Sequence, residues 1–177
     1  MNTLGIELKW AAIFTLAYCA WNFVEKITGN HIDFSNIIIS GFLYLLVVIV
    51  LGFLAFRDKK KNFYAGKWDF NQAFKFGLFL TGMVALLSPI AHYISYNSIS
   101  PDYFEHLIQY ELAKGRETRE ALLEKHNFDD KMYLNLRDIL SYGVVFSALF
   151  AYLLKTKNYK APVKVIAVKP KTKKVKK

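Results

Sequence analysis

Residues 37–56 run for 20 positions without a charged side chain, and no face of a helix drawn through them is polar. A helix in a water-soluble domain keeps a wet stripe, whereas one that is apolar all round must be enclosed. About 20 apolar residues is also the length a helix needs to cross ~30 Å of hydrocarbon. This stretch therefore selects a bilayer over water, and it does so without any appeal to overall composition.

Three further segments follow the same logic. The expected spans are about residues 8–24, 32–56, 72–98 and 134–154. The last has only 16 uncharged residues, 139–154, or ~24 Å of helix at 1.5 Å each. It must borrow residues 132–136 and leave Arg137 and Asp138 near the headgroups, where their ends reach water. The fold class expected is an all-α polytopic membrane protein. It has four transmembrane helices and a short extracytoplasmic helical hairpin, residues 100–131, between the third and fourth.

Charge then sets direction. Of 24 Lys and Arg, ten lie between Lys155 and Lys177, leaving 14 against 14 Asp and Glu. Residues 57–75 carry six basic and two acidic side chains, while residues 100–131 carry five basic and eight acidic. Short basic loops stay on the cytoplasmic side. The expected topology is thus N-in and C-in, with residues 1–154 as the membrane domain and 155–177 as a disordered polybasic cytoplasmic tail. Trp10 and Trp68 are expected at one interface, and Trp21, Tyr93 and Tyr96 at the other. A tail this basic gains ~1 kcal/mol per Lys or Arg beside anionic lipid. Lys169, Lys171, Lys173, Lys174, Lys176 and Lys177 are the candidate contacts, and nucleic acid is not the expected partner.

Local signals sharpen the picture. Asp69 with Gln72 fits a capping box opening the third span. Ala73, Gly77, Thr81, Ala85 and Ser88 form a stripe of small residues on that helix, and Gly143, Ser147 and Ala151 form another on the fourth. Such stripes let helices approach closely in lipid. They suit packing within one chain or a homo-oligomer seam. Pro89 should kink the third helix. Ser100, Pro101 and Asp102 read as N-cap, first turn and dipole partner of an outer helix that Gly115 ends. A second short helix is expected over about 118–126.

Reactive groups are sparse. His92 is the candidate functional polar residue in the membrane, by the default that intramembrane ionisable groups have a purpose. It is expected close to the outer headgroups and hydrated. His31, His106 and His126 fall outside, with no metal-ligand spacing among them. Cys19 stands alone, which excludes a disulfide framework within the chain. No cofactor, metal site or catalytic constellation is expected, and the chain is not expected to be an enzyme. The leading expectation is a non-enzymatic partner-binding, lipid-binding or accessory membrane protein. The alternative is a subunit of a small oligomeric transporter or channel.

The order of three motifs is similar to that of the DUF4199 family. These are the basic run 57–61, the segment from Gly66 through Trp68, Phe70, Ala73, Phe74 and Lys75 to Gly77, and Pro101-Asp102-Tyr103 opening the outer insert. The resemblance covers about residues 5–154. It implies a small four-helix membrane protein of Bacteroidota, in the inner membrane, with function unassigned and no catalytic residue to carry over.

Overall fold

The computed structural model describes residues 3–31, 34–115 and 117–160. Among them there is no strand. Helix α1 spans Thr3–Ile27, and a 3-10 turn at Phe34–Asn36 leads into α2, Ile37–Asn62. Helix α3 spans Phe70–Tyr93 and continues as a π-helical turn, Ile94–Ile99. Two short helices follow, α4 at Tyr103–Ala113 and α5 at Arg119–Lys125, before α6 runs over Phe128–Leu154. Three segments are long and apolar enough to cross a membrane: Phe34–Asn62, Phe70–Ile99 and Phe128–Leu154. The expected first span, 8–24, lies in α1, which is as long as the others. Its uncharged part is only residues 10–24, between Lys9 and Glu25, and that dilutes its hydropathy.

Helix ends depart from the sequence reading in instructive ways. The basic run 57–61 does not leave α2; it forms the last turns of that helix, which ends at Asn62. Cations there oppose the partial negative charge of the helix C-terminus. The link to α3 is therefore much shorter than residues 57–75. Helix α6 is capped by Asn127, whose side chain accepts from the N–H of Asp130 at 2.9 Å. It passes through Arg137 and Asp138 unbroken.

The capping box at α3 is present in both halves. Asp69 accepts from the N–H of Gln72 at 2.8 Å, and Gln72 accepts from the N–H of Asp69 at 3.1 Å. Helix α4, by contrast, begins two residues later than its sequence signal. Ser100 makes no cap because its hydroxyl is bonded to His31. Gly115 does end that helix, at φ +67°.

The closest packing is between α3 and α6, then between α1 and α3. A methyl placed on Gly77 collides with Ser147 and Phe56, and one on Gly143 collides with Thr81. The two small-residue stripes therefore face each other. Where they meet, no lipid-facing seam is left. Ala73 and Ala151 are fully buried and Ala85 nearly so. Cys19 Sγ contacts the Ala91 carbonyl on the α1–α3 side.

At the end carrying the basic run, Phe56 stacks edge-on against Phe76 and Trp68 and packs on Phe150. Trp68 and Trp10 lie at this same end but are not free interfacial anchors. Trp68 is fully buried, and its Nε1 donates to the Leu154 carbonyl at 2.9 Å. Lys60 donates to the same oxygen, so two side chains satisfy the orphan C-terminal acceptor of α6. Trp10 Nε1 donates to Asp58 at 2.7 Å. Thr156 bonds to the backbone of Trp68 through both its N–H and its hydroxyl. The segment expected as free tail from residue 155 is thus docked over its first residues. Lys169, Lys171, Lys173, Lys174, Lys176 and Lys177, and the reading of that stretch as disordered, lie outside the described residues.

Candidate functional site: a cleft between α2 and α6

Helices α2 and α6 touch at the basic end, where a methyl on Gly52 would press into the Phe150 ring at 2.6 Å. Towards the other end they leave a gap, and at Gly41 an added methyl meets nothing within 4 Å. The gap is an apolar chamber of about 480 Å³, within the size range of small-molecule sites. Phe14, Leu45, Val48, Leu80, Val84, Ile139, Tyr142 and Phe146 line it, and Phe56 and Phe150 close its floor. It has walls from all four long helices.

A second chamber of about 420 Å³ lies beyond Gly41 and has a different character. Trp21, Asn22, Glu25, Asn30, His31, Lys131, Asn135, Arg137 and Asp138 contribute to its wall. Tyr18, Gly41, Tyr44, Asn135 and Asp138 line both chambers, so the two share one boundary. The second chamber is the more polar of the two.

Hydrogen bonds hold the polar end together. His31, 3% exposed, lies with Nε2 at 3.3 Å from Glu25 Oε2 and Nδ1 at 2.8 Å from Ser100 Oγ. A carboxylate only accepts, so Nε2 donates to Glu25. Ser40 donates to the other Glu25 oxygen. Burial opposes ionisation of Glu25, but the bonds from His31 and Ser40 outweigh it and hold this carboxyl below its ordinary range. The network ties the end of α1, the start of α2 and the residue after the π-turn into one frame.

His92 is not hydrated at the headgroups. Its side chain has no exposed surface and stacks on Tyr18, with ring centroids 4.9 Å apart. Nδ1 lies 3.1 Å from the Ser88 carbonyl and must donate to it. Nε2 is left to accept from the Tyr18 hydroxyl at 3.2 Å, and the Tyr18 oxygen then accepts from Tyr96 at 3.3 Å. One carbonyl thereby fixes the direction of three hydrogen bonds. His92 lines the apolar chamber, and Tyr96 lines the polar one.

Above the polar end, Phe34, Tyr96 and Tyr103 form a second core with Phe104, Leu107, Tyr110 and Phe128 packed on it. The apolar face of α4 makes this contact, and Ile108 and Leu122 are buried as well. Arg119 on α5 pairs with Glu105 on α4 at 2.9 Å. His106 belongs to α4, while His126 follows α5, where burial pushes its imidazole below the ordinary range. Among the described residues no three metal-ligating side chains converge.

Of the residues singled out in the sequence, His92, Gly77, Thr81, Gly143 and Ser147 contribute to the chamber wall; Ala73, Ala85 and Ala151 are not among its lining residues. Gly41, Trp21, Glu25, His31 and Lys131 carry no motif, and only the packing of α1, the segment after it, α2 and α6 brings them together.

The chain matches the family described as protein of unknown function (DUF4199) over residues 9–156. It belongs to that family. No curated protein and no solved structure matches it.

Proposed function

We propose that this protein is a non-enzymatic membrane protein that accommodates an amphipathic membrane molecule, its hydrocarbon part between α2 and α6 and its polar part against the Glu25–Lys131 end. The observation that supports this reading is the shared boundary at Gly41, Tyr44, Asn135 and Asp138, where an apolar chamber adjoins a more polar one. Along α2 the apolar chamber is lined from Gly41 to Phe56. That is ~22 Å of helix rise, enough to shelter a chain that spans one leaflet, ~15 Å of a ~30 Å core.

The accompanying topology is four spans, α1, α2, α3 and α6, in a bacterial inner membrane. Both termini face the cytoplasm, and α4 and α5 form a cap on the other face. It is supported by the basic run at the end of α2 and the acidic balance of residues 100–131, read through the positive-inside rule. The polar chamber then lies at the outer headgroup level.

Gly41→Trp and Val48→Trp test the reading at the polar end and in the middle of the apolar chamber. Wild-type protein, extracted in mild detergent and exchanged repeatedly, should retain bound lipid in native mass spectra. Each variant should retain markedly less while unfolding at the wild-type temperature. Equal retention in all three proteins would refute the reading.

A further inference from the structure

The polar end of the cleft contains a cation, Lys131, that forms no salt bridge among the described residues, and a buried Trp21 N–H with no acceptor. We propose that the molecule it takes is an anionic lipid, and that Lys131 receives its phosphate. This rests on the amphiphile reading above and adds the headgroup.

Both Glu25 oxygens are already occupied, by Ser40 and His31. Asp138 takes two bonds from Arg137 on one oxygen, at 2.9 and 3.1 Å. Lys131, on the first turn of α6, has a different situation. Its ammonium donates to the Tyr103 hydroxyl at 3.2 Å and lies 5.4 Å from the centre of that ring. Among the described residues it has no carboxylate partner. An ammonium carries three protons, so two remain to be placed. The buried Trp21 Nε1–H makes no hydrogen bond either, and it lines the same wall.

A half-buried cation without a counterion is costly unless something supplies the charge. A phosphate offers several acceptor oxygens and a negative charge at once, and bonds between ionised partners are about twice as strong as neutral ones. Position agrees with chemistry. Trp21 lies in the last turn of the uncharged part of α1, residues 10–24, and Lys131 in the charged first turns of α6, ahead of residues 139–154; both line the polar chamber beyond Gly41 and not the apolar one. Glu25 hydrogen-bonds to His31 and Ser40, and among the described residues it forms no salt bridge with Lys131.

The test is a titration of full-length protein in neutral detergent with phosphatidylglycerol and with diacylglycerol of the same chains, read by native mass spectrometry. Wild type should prefer phosphatidylglycerol. Lys131→Gln, which still donates to Tyr103, should lose that preference roughly tenfold or more, the scale of a charge-assisted bond. Lys131→Arg should keep it. Signal that survives Gly41→Trp reports surface binding by the basic run or tail, and is subtracted. If lipid binding disappears in Gly41→Trp but Lys131→Gln binds both lipids as wild type does, the headgroup assignment is wrong and the cleft reading stands. If Gly41→Trp changes nothing, the cleft reading falls and this inference with it.

Discussion

Pro89 lacks the N–H that would bond the carbonyl of Ala85, and the hydroxyl of the preceding Ser88 donates there instead, at 2.9 Å. The helix continues through the proline for that reason, and it loosens to π geometry only at residue 94. A buried hydrogen bond of this kind contributes about 1 kcal/mol, so Ser88→Ala should lower stability by that order in a detergent unfolding titration. A larger loss is expected from Lys59. It is 2% exposed and pairs with the buried Glu7 at 2.7 Å. Removing one partner of a buried pair leaves a charge without compensation, typically 3–5 kcal/mol. Lys59→Met should be destabilised on that scale, and Glu7→Leu combined with Lys59→Met should recover most of it. If the double variant is no better than the single, the pair is not what anchors α1 to α2. Of these details the Asp69 capping box was legible, because its partners are three residues apart. The Glu7–Lys59 pair was not, because 52 residues separate its members.

At the scale of elements, the two small-residue stripes decide which helices meet. Gly77→Leu should destabilise by about 1–3 kcal/mol, the usual cost of overpacking, since its side chain has nowhere to go beside Ser147 and Phe56. Gly41→Leu, the same change in open space, should leave the unfolding temperature unchanged or slightly raised, as leucine favours a helix over glycine. The contrast is the test, because a general intolerance of bulk would affect both. The frame at the polar end carries a pH signature. Glu25 ionises below the ordinary carboxylate range. Its contribution is therefore complete above about pH 4.3, and it fades as the pH falls towards the lower folded value. Wild type should lose more unfolding temperature across that acidic window than Glu25→Gln does. The stripes could be read from spacing alone. The Ser100 cap was misread because a second acceptor–donor partner, His31, lies 69 residues away and wins the hydroxyl.

For the whole molecule, the all-helical class and the three long apolar helices were readable because each is a property of contiguous sequence. The cleft was not. It exists because α2 and α6 meet at Gly52 and Phe150 and separate by Gly41, and a crossing geometry has no period in the chain. The polar end is equally non-local, built from α1, the segment after it, the turn after α3 and the start of α6. His92, the polar residue singled out in the membrane, does line the apolar chamber, whereas Glu25 and Lys131 on the polar wall carried no signal. The central claim is that a lipid chain occupies the apolar chamber, and the most direct measurement is photo-crosslinking in native membranes. A phospholipid with a diazirine midway along its acyl chain should label the cleft-facing positions Leu45, Val48 and Ile139 in wild type, and Gly41→Trp should abolish those labels. Labels confined to the outward residues Leu46, Val50, Val145 and Leu149, unchanged by Gly41→Trp, would mean that the cleft is empty of lipid and the account is wrong.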